Sequence, residues 1–312
     1  MINVIFFGSD SFSIPILEFL SKKTNLVCVV TTEDKPKGRG KKTQPNIIKD
    51  FAYSIGINKI LTPPDLTDKD FLNEIANLKP DLLVTASYGK ILPKDLLTIP
   101  KYASINIHPS LLPLYPGAEP IFWQIAKGEK ESGVTIFEMN SKIDSGEIIL
   151  QESIQIDQAD NYEDVLKKLT ELSIKLLDKL LYLIEEGKPL PKIKQKELKV
   201  FYARKITKED ERIDWNKPSQ EIINKIKAFS PKIGAYTLFK GRRVKIYKAK
   251  IAEYIEENLK PGAISIKGTN IIVKTADSFV SIDFLKPEGK KIISAAEFIN
   301  GYLKNINEAK FE

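Results

Sequence analysis

The sequence predicts an α/β domain built on a parallel sheet, followed by a smaller domain built as a β-barrel. The chain has 312 residues, which is enough for about two domains of roughly 150 residues each. Strand and helix patterns alternate through the first half, as is typical of a parallel sheet covered by helices. The second half instead carries short strand patterns separated by turn residues, which favours a small barrel.

Apolar runs predict the strands of the first half, and apolar stripes of helical period predict its helices. Asp10 or Ser11 can cap the first helix. The last and longest helix starts near Asp160 and ends at Gly187 and Pro189. The predicted strands are residues 2–7, 26–30, 81–86, 102–107, 134–139 and 148–155, and the predicted helices are residues 10–20, 46–54, 68–78 and 160–186.

A Lys- and Pro-rich stretch with little periodicity, residues 187–200, predicts the boundary between the domains. We expect a catalytic domain over residues 1–186, a linker over 187–205 and a second domain over 206–312. The predicted elements of the second domain are helices at residues 218–230 and 294–302 and strands at residues 235–239, 244–250, 262–267, 271–275 and 280–285.

The composition excludes several classes of protein. With 42% apolar and 29% charged residues, the chain is neither low-complexity nor wholly disordered. The lone cysteine, Cys28, cannot form an internal disulfide, which favours a reducing compartment. The lone histidine, His108, excludes histidine-rich metal sites and mechanisms that need two histidines. Because no leader peptide or membrane-spanning run is recognisable, we expect a cytoplasmic protein without membrane contact. We take a monomer as the default state and expect no bound metal.

The net charge of +7 is unevenly distributed along the chain. Residues 187–312 carry 27 basic and 15 acidic side chains, a balance of +12, whereas residues 1–186 carry 21 and 26, a balance of −5. Such asymmetry indicates nucleic-acid contact more strongly than the total charge does. Only five of the basic residues are Arg, however, so many lysines could equally be solvated surface.

Three polar residues are the best candidates for catalysis. Asn106 and His108 lie at the end of a predicted buried strand, and their spacing puts both side chains on one face, where parallel sheets bind ligands. An amide donor suits a developing oxyanion, and an imidazole can donate or carry a proton near neutral pH. Asp144, in a polar loop between two apolar strands, could orient the imidazole and accept a proton. A structural pair at a strand end and a turn-forming aspartate also remain open.

Other ligand-binding motifs are missing from the sequence. After the first strand, Gly8 is followed by Ser9 and Asp10 rather than by the further glycines of a G-x-G-x-x-G loop. The chain also lacks the G-x-x-x-x-G-K-[ST] pattern of a P-loop. The sequence therefore disfavours both dinucleotide binding and P-loop nucleotide hydrolysis.

Two basic segments could bind phosphates. Residues 35–42 follow a predicted strand and combine five positive charges with two glycines, which is typical of a phosphate-binding loop or of a solvated one. Residues 228–250 interleave basic and aromatic residues; we expect one basic strand face and aromatic rings in the barrel core. The candidate residues are Lys35, Lys37, Arg39, Lys41 and Lys42 in the first segment and Arg242, Arg243, Lys245 and Lys248 in the second.

Through these segments the chain resembles the folate-dependent formyltransferases. The Asn-x-His-Pro-Ser-Leu-Leu-Pro motif of residues 106–113, together with Asp144, is specific to that superfamily. The basic loop and the second domain point to those members that act on tRNA. Further matching segments are residues 6–9, 34–42, 86–93, 133–135 and 144–146 in the first domain and residues 213–215, 228–231, 244–249, 261–262 and 289–291 in the second.

The resemblance implies a Rossmann-like catalytic domain and an OB-like barrel. It implies formyl transfer from 10-formyltetrahydrofolate to the α-amino group of methionine on initiator tRNA, with the basic loop near the acceptor stem and the barrel on the tRNA body. The implied catalytic residues are Asn106, His108 and Asp144. The implied folate contacts are Ser110, Leu111, Leu112 and Pro113 and the main chain around Ile91 and Leu92.

One segment departs from the family pattern, which has Arg before Gly117 and a small residue before Pro120. This chain has Pro116 and Glu119 there, and the change bears on the acceptor side of the site. Three alternatives stay open: a formyltransferase acting on a sugar-nucleotide amine, a formyltetrahydrofolate hydrolase and, from a different class, a non-catalytic nucleic-acid-binding protein. A glycinamide ribonucleotide formyltransferase is disfavoured because that enzyme has a single domain.

Overall fold

The computed structural model describes residues 1–37, 42–44, 46–254, 256, 258–304 and 309–312. The chain divides into two compact units, and neither is continuous in sequence. The first comprises Met1–Pro120, Glu131–Gln155 and Leu166–Arg204, and the second comprises Ile121–Lys130, Ile156–Val165 and Lys205–Glu312. The linker boundaries expected from the sequence stay a prediction, whereas residues 121–130 and 156–165 are found in the second unit.

The described part of residues 1–186 forms nine strands and six helices. The strands are β1 (Asn3–Gly8), β2 (Asn25–Val30), β3 (Lys35–Lys37), β4 (Lys42–Gln44), β5 (Ile60–Leu61), β6 (Leu82–Ala86), β7 (Ala103–His108), β8 (Glu131–Glu138) and β9 (Ile148–Gln155). The helices are α1 (Ser13–Lys23), α2 (Ile47–Ser54), α3 (Lys69–Asn77), α4 (Lys94–Leu97), α5 (Pro120–Lys127) and α6 (Tyr162–Glu185).

Seven of these strands form one sheet in the order β5-β2-β1-β6-β7-β8-β9. The five strands from β5 to β7 are parallel, and β8 and β9 continue the sheet in antiparallel pairing. Strands β1 and β6 are apolar and almost wholly buried, as expected for the centre of a parallel sheet. The predicted α/β domain is thereby confirmed. The carboxyl ends of β1, β6 and β7 lie side by side, and the loops that follow them form one edge of the sheet.

The helix starts follow local capping chemistry. Asn46 caps α2 and Asp68 caps α3, each through a side-chain oxygen that accepts a main-chain N–H of the first turn. The expected capping of α1 by Asp10 or Ser11 is wrong, because Phe12 is the N-cap and Asp10 accepts the N–H of that residue. None of the helices in the described parts of the chain has the length and apolar character needed to cross a membrane.

The second unit is built around an antiparallel barrel. The described strands of residues 205–312 are β10 (Ala235–Phe239), β11 (Arg242–Ile251), β12 (Ala263–Lys267), β13 (Asn270–Lys274), β14 (Phe279–Pro287), β15 (Ile293–Ser294) and β16 (Ala309–Lys310), and the α-helices of this range are α7 (Ser219–Phe229) and α8 (Ala295–Phe298). Most of α5 and the first residues of α6 also belong to the second unit. The sheet order is β10-β11-β14-β13-β12-β16, with β15 paired to β14. Leu238 and Glu312 exchange main-chain hydrogen bonds of 3.2 and 2.9 Å, which nearly close the barrel. The predicted OB-like barrel is confirmed.

The closing helix predicted at residues 294–302 is wrong in detail. Helix α8 ends at Phe298, and a π-helical turn over Ile299–Leu303 follows it. Gly301 lies in that turn, and glycine costs about 1 kcal/mol relative to alanine inside an α-helix. The start of α8 is fixed by a capping box between Ser294 and Glu297.

Candidate active site

His108 and Asp144 come together at the carboxyl edge of the first unit's sheet. Nδ1 of His108 lies 3.7 Å from Oδ2 of Asp144, and both side chains are largely buried. The same carboxylate oxygen accepts the main-chain N–H of Gly117 at 2.8 Å. Nothing in the local sequence pattern predicts this meeting, because the two side chains come from β7 and from the loop between β8 and β9.

The hydrogen-bond partners of His108 fix the protonation of one ring nitrogen. Its Nε2 lies 3.0 Å from the main-chain oxygen of Tyr115. A carbonyl only accepts, so Nε2 carries hydrogen and donates. A doubly protonated ring could then donate to Tyr115 and face the Asp144 carboxylate at the same time.

Asn106 lies on β7, between Thr85 of β6 and Phe137 of β8. It is half-buried, and its side-chain amide makes no hydrogen bond to any described residue. A half-buried amide of this kind has two N–H donors available for a ligand. Of the three candidate residues, Asn106 has the donors best suited to a developing oxyanion.

The turn at residues 110–113 is fixed by side chains from the neighbouring antiparallel strands. The Thr135 hydroxyl donates to the Ser110 oxygen at 2.6 Å and accepts the N–H of Leu112 at 3.1 Å. Gln151 Nε2 donates to the oxygen of Leu112 and to the Thr135 hydroxyl, both at 2.8 Å. Leu111 packs over Gly133, where an added Cβ would lie 2.4 Å from the Leu111 side chain. Thr135, which lies in the matching segment 133–135, and Gln151 therefore border the candidate site, although neither of them has a role there predicted from the sequence.

The loop after β6 presents main chain to the same edge of the sheet. The Ser9 hydroxyl donates to the oxygens of Ser87 and Tyr88 at 2.6 and 3.1 Å, which anchors the start of the loop. Ile91 is 66% exposed and Leu92 is buried. The main-chain N–H and C=O groups of these two residues make no hydrogen bond within the described chain. They can therefore donate to, and accept from, the edge of a planar heterocycle.

The segment that departs from the family pattern is tied to residues further along the chain. Ala203 donates its N–H to the oxygen of Pro116 at 2.7 Å, and its own oxygen accepts the N–H groups of Ala118 and Glu119 at 2.7 and 3.0 Å. Residues 116–119 are thus held by main-chain hydrogen bonds, in which the identity of the side chains at 116 and 119 plays no part.

The first basic segment is described only in part. Lys35 and Lys37 of β3 and Lys42 of β4 belong to a two-stranded hairpin, and Arg39 and Lys41 lie outside the described residues. Asp34 stands at the base of this hairpin. The N–H of Asn46 and the ammonium group of Lys49 keep the pKa of its carboxyl group below the usual value.

The second basic segment lies on β11. Arg242, Arg243 and Lys248 are exposed and Lys245 is half-buried, whereas Val244 and Ile246 between them face the core.

Aromatic rings accompany this basic face. The Arg243 guanidinium lies 4.4 Å from the centre of the Tyr236 ring, and Lys245 pairs across the strands with Tyr236 and Lys286. Phe229 and Phe239 belong to the core as predicted, but Tyr236 and Tyr247 are half-exposed, so the expectation of an all-core aromatic set is wrong for these two.

A parallel sheet with an amide, an imidazole and a carboxylate at its carboxyl edge, followed by an OB-like barrel, is the arrangement expected of a group-transfer enzyme of the formyltransferase class. The chain belongs to the formyl transferase family: the model of the formyl transferase domain matches residues 2–181, and that of the formyl transferase C-terminal domain matches residues 205–303.

Two relatives that are similar to this chain over its whole length carry the same name. A methionyl-tRNA formyltransferase of Dictyoglomus turgidum is 44% identical over 314 residues, covering 99% of this chain and 99% of the relative. A methionyl-tRNA formyltransferase of Fusobacterium nucleatum is 38% identical over 308 residues, covering 98% and 99%.

Solved structures share the fold at lower identity. HypX from Aquifex aeolicus in complex with tetrahydrofolic acid has a TM-score of 0.65 at 19% identity, covering all of this chain and 51% of HypX. The sugar 3N-formyl transferase WlaRD, solved with dTDP and 5-N-formyl-THF, has a TM-score of 0.65 at 24% identity, covering 93% and 99%. The sequence-based recognition of the family is confirmed.

Proposed function

We propose that this enzyme transfers the formyl group of 10-formyltetrahydrofolate to the α-amino group of methionine on initiator methionyl-tRNA. Residues 1–186 would bind the folate and carry out the transfer, and residues 206–312 would bind tRNA. The observation that carries the proposal is similarity through both matched domains to proteins named methionyl-tRNA formyltransferase, at 99% coverage of each chain. The sugar formyltransferases are related only at the level of the fold. Translation initiation takes place in the cytoplasm, which is where the enzyme would act.

The folate would lie between the main chain of Ile91 and Leu92 and the turn at residues 110–113. The free N–H and C=O groups of the first segment suit the donor and acceptor edge of a pterin. The second segment is braced by Thr135 and Gln151, so it can hold the formyl-bearing end of the folate without having to reorganise.

In the transfer step, the neutral amine of methionine attacks the formyl carbon, a C–N bond forms, and the carbonyl oxygen becomes an oxyanion. The free amide of Asn106 donates to that oxyanion, and a well-aimed donor of this type contributes about 3–4 kcal/mol. The C–N bond to the folate then breaks, the electron pair returns to the folate nitrogen, and that nitrogen gains one proton, which balances the proton that the attacking amine loses.

The proton lost by the attacking nitrogen passes to Asp144, directly or through water. Oδ2 of Asp144 is occupied by the Gly117 N–H, and no described residue hydrogen bonds to its Oδ1. A neighbouring imidazolium would stabilise the carboxylate before the transfer. Nε2 of His108 can donate to the oxyanion only when it leaves the Tyr115 oxygen, which it contacts at 3.0 Å.

The experiment that tests the function is formyl transfer from 10-formyltetrahydrofolate to initiator methionyl-tRNA, run beside a dTDP-amino sugar and a reaction without acceptor. We expect formylmethionyl-tRNA and no formylated sugar. Formylation of the sugar alone would establish the alternative transferase, and formate release without acceptor would indicate a hydrolase. Retention of tRNA binding without any transfer would indicate a non-catalytic binding protein.

Substitution of the candidate catalytic residues tests the mechanism. Asn106→Ala should lower kcat by about 100- to 1000-fold with little change in either KM, because the amide acts mainly in the transition state. Ser104→Ala is the matched control on the same strand, since its hydroxyl bonds the Leu97 oxygen at 2.8 Å rather than the site. Asp144→Asn should lower kcat and change the pH–rate profile, and unchanged kinetics would contradict the assigned role.

A further inference from the structure

The segment expected from the sequence to be a plain linker contacts the loop that carries Asp144. Residues 191–199 are exposed, except for Gln195, which is half-buried. Nε2 of Gln195 donates to the main-chain oxygens of Asp144 and Gly146, each at 2.9 Å. One side-chain amide therefore uses both of its N–H groups on this loop.

The loop that Gln195 contacts has a conformation that needs support. Asp144 has a φ of +47°, in a region that residues other than glycine rarely adopt. At Gly146 an added Cβ would lie 1.7 Å from the oxygen of Glu138, so only glycine fits there. Such conformations persist when the surrounding contacts favour them, and Gln195 supplies two hydrogen bonds directly to the main chain.

The main chain that presents Gln195 is itself fixed. Ile193 and Ile148 exchange two main-chain hydrogen bonds of 2.8 and 3.0 Å, which attach the segment to the start of β9. Lys192 Nζ lies 2.5 Å from Oε2 of Glu138, on the strand before the loop. Because its neighbours are ordered in this way, little further conformational entropy is lost when the Gln195 side chain bonds the loop.

We propose that Gln195 is a positioning residue for Asp144. By holding the loop at residues 144 and 146, it keeps the carboxylate where Oδ2 receives the Gly117 N–H and faces His108, and where Oδ1 can accept the proton. Gln195 itself touches no reacting atom. The inference rests on the proposed function, in which Asp144 accepts a proton from the attacking amine.

A double-mutant cycle in the full-length enzyme tests this role, with 10-formyltetrahydrofolate and initiator methionyl-tRNA as substrates. Gln195→Ala should lower kcat about 10- to 100-fold, as expected when a reacting group is slightly misplaced, and leave both KM values within about twofold. Combined with Asp144→Asn, it should cause no further loss, because its effect acts through that carboxylate. Gln195→Glu keeps the size but presents only acceptor oxygens when ionised, so it should not restore activity.

Leu198→Ala is the matched control, since Leu198 lies in the same segment and is 56% exposed; its kcat should equal that of the wild type. Thermal unfolding should give Gln195→Ala a midpoint close to the wild-type value. Additive losses in the double variant, an unchanged kcat for Gln195→Ala, or unfolding of that variant would each overturn the positioning role. A wild-type enzyme inactive towards methionyl-tRNA would contradict the proposed function as well, so the two failures are distinguishable.

Discussion

The main-chain N–H of Gly117 donates to Oδ2 of Asp144 across 2.8 Å, although the two residues are 27 positions apart in the chain. Gly117 has a φ of +123°, and a Cβ added to it would lie 2.6 Å from the oxygen of Ala203. The donor to the candidate catalytic carboxylate is therefore held in place by a close approach between two main-chain segments, which only glycine permits.

Gly117→Ala should reduce kcat at least tenfold. The new methyl group must push either the Ala203 main chain or residue 117 away, and a shift of about 1 Å at a catalytic hydrogen bond can cost about 100-fold. The unfavourable φ adds roughly 1–3 kcal/mol of strain to the folded state. Steady-state kinetics and denaturant unfolding of the same preparation measure the two effects.

Gly56→Ala is the control that separates strain from site geometry. Gly56 has a φ of +82° with nothing within 4 Å of an added Cβ, so the variant carries the backbone strain without the collision. It should lose stability and keep the wild-type kcat. If Gly117→Ala shows the same pattern, the Gly117–Asp144 hydrogen bond has no part in catalysis.

Gln151→Leu should weaken folate binding. The Gln151 amide donates to the Leu112 oxygen and to the Thr135 hydroxyl, both at 2.8 Å, and losing a hydrogen bond of this kind costs about 1 kcal/mol. We expect the KM for 10-formyltetrahydrofolate to rise several-fold and the KM for tRNA to stay constant. Gln155→Leu, at the exposed end of the same strand, should change neither KM. A higher KM for 10-formyltetrahydrofolate in both variants would indicate a general loss of strand stability.

The sequence predicts those parts of the fold that follow from local periodicity and capping. The buried strands β1, β6 and β7 and the caps Asn46 and Asp68 are of this kind. Helix α5 is missing from the sequence prediction because its first residues are uniformly apolar, so no helical stripe stands out.

The candidate site is predictable only where a motif carries it. Asn106 and His108 are predicted from strand alternation. The contact of His108 with Tyr115 depends on a turn in which Tyr115 has a φ of +55°, and no sequence pattern predicts that turn. Gln195 lies 51 residues from Asp144 in a stretch without periodicity. Contacts of this kind are made by tertiary packing, and propensity carries no information about them.

Neutralising the basic face of β11 should weaken tRNA binding. It should also make that binding less sensitive to salt. Replacing Arg243, Lys245 and Lys248 by Gln removes three positive charges that we predict to contact phosphates, and the slope of log K against log salt should become shallower by about 2. Filter binding or fluorescence anisotropy between about 50 and about 300 mM salt measures this slope. The matched control replaces three exposed lysines of the first unit, Lys22, Lys69 and Lys175. Equal slopes for the two triple variants would mean that total charge, rather than this face, governs binding.

Cys28 should make the folded state less stable at alkaline pH. Burial raises the pKa of its thiol from 9.0 to about 12, so the unfolded chain loses this proton at a lower pH than the folded chain does. The contribution of the thiol to the free energy of unfolding is therefore intact below pH 9 and falls as pH rises towards 12. Burial also raises the pKa of Tyr88 from 10.0 to about 12, so in Cys28→Ala the decline should start about one pH unit later. Denaturant unfolding of both proteins at intervals from pH 8 to about 10.5 measures the difference, and parallel curves would contradict the burial of the thiol as its cause.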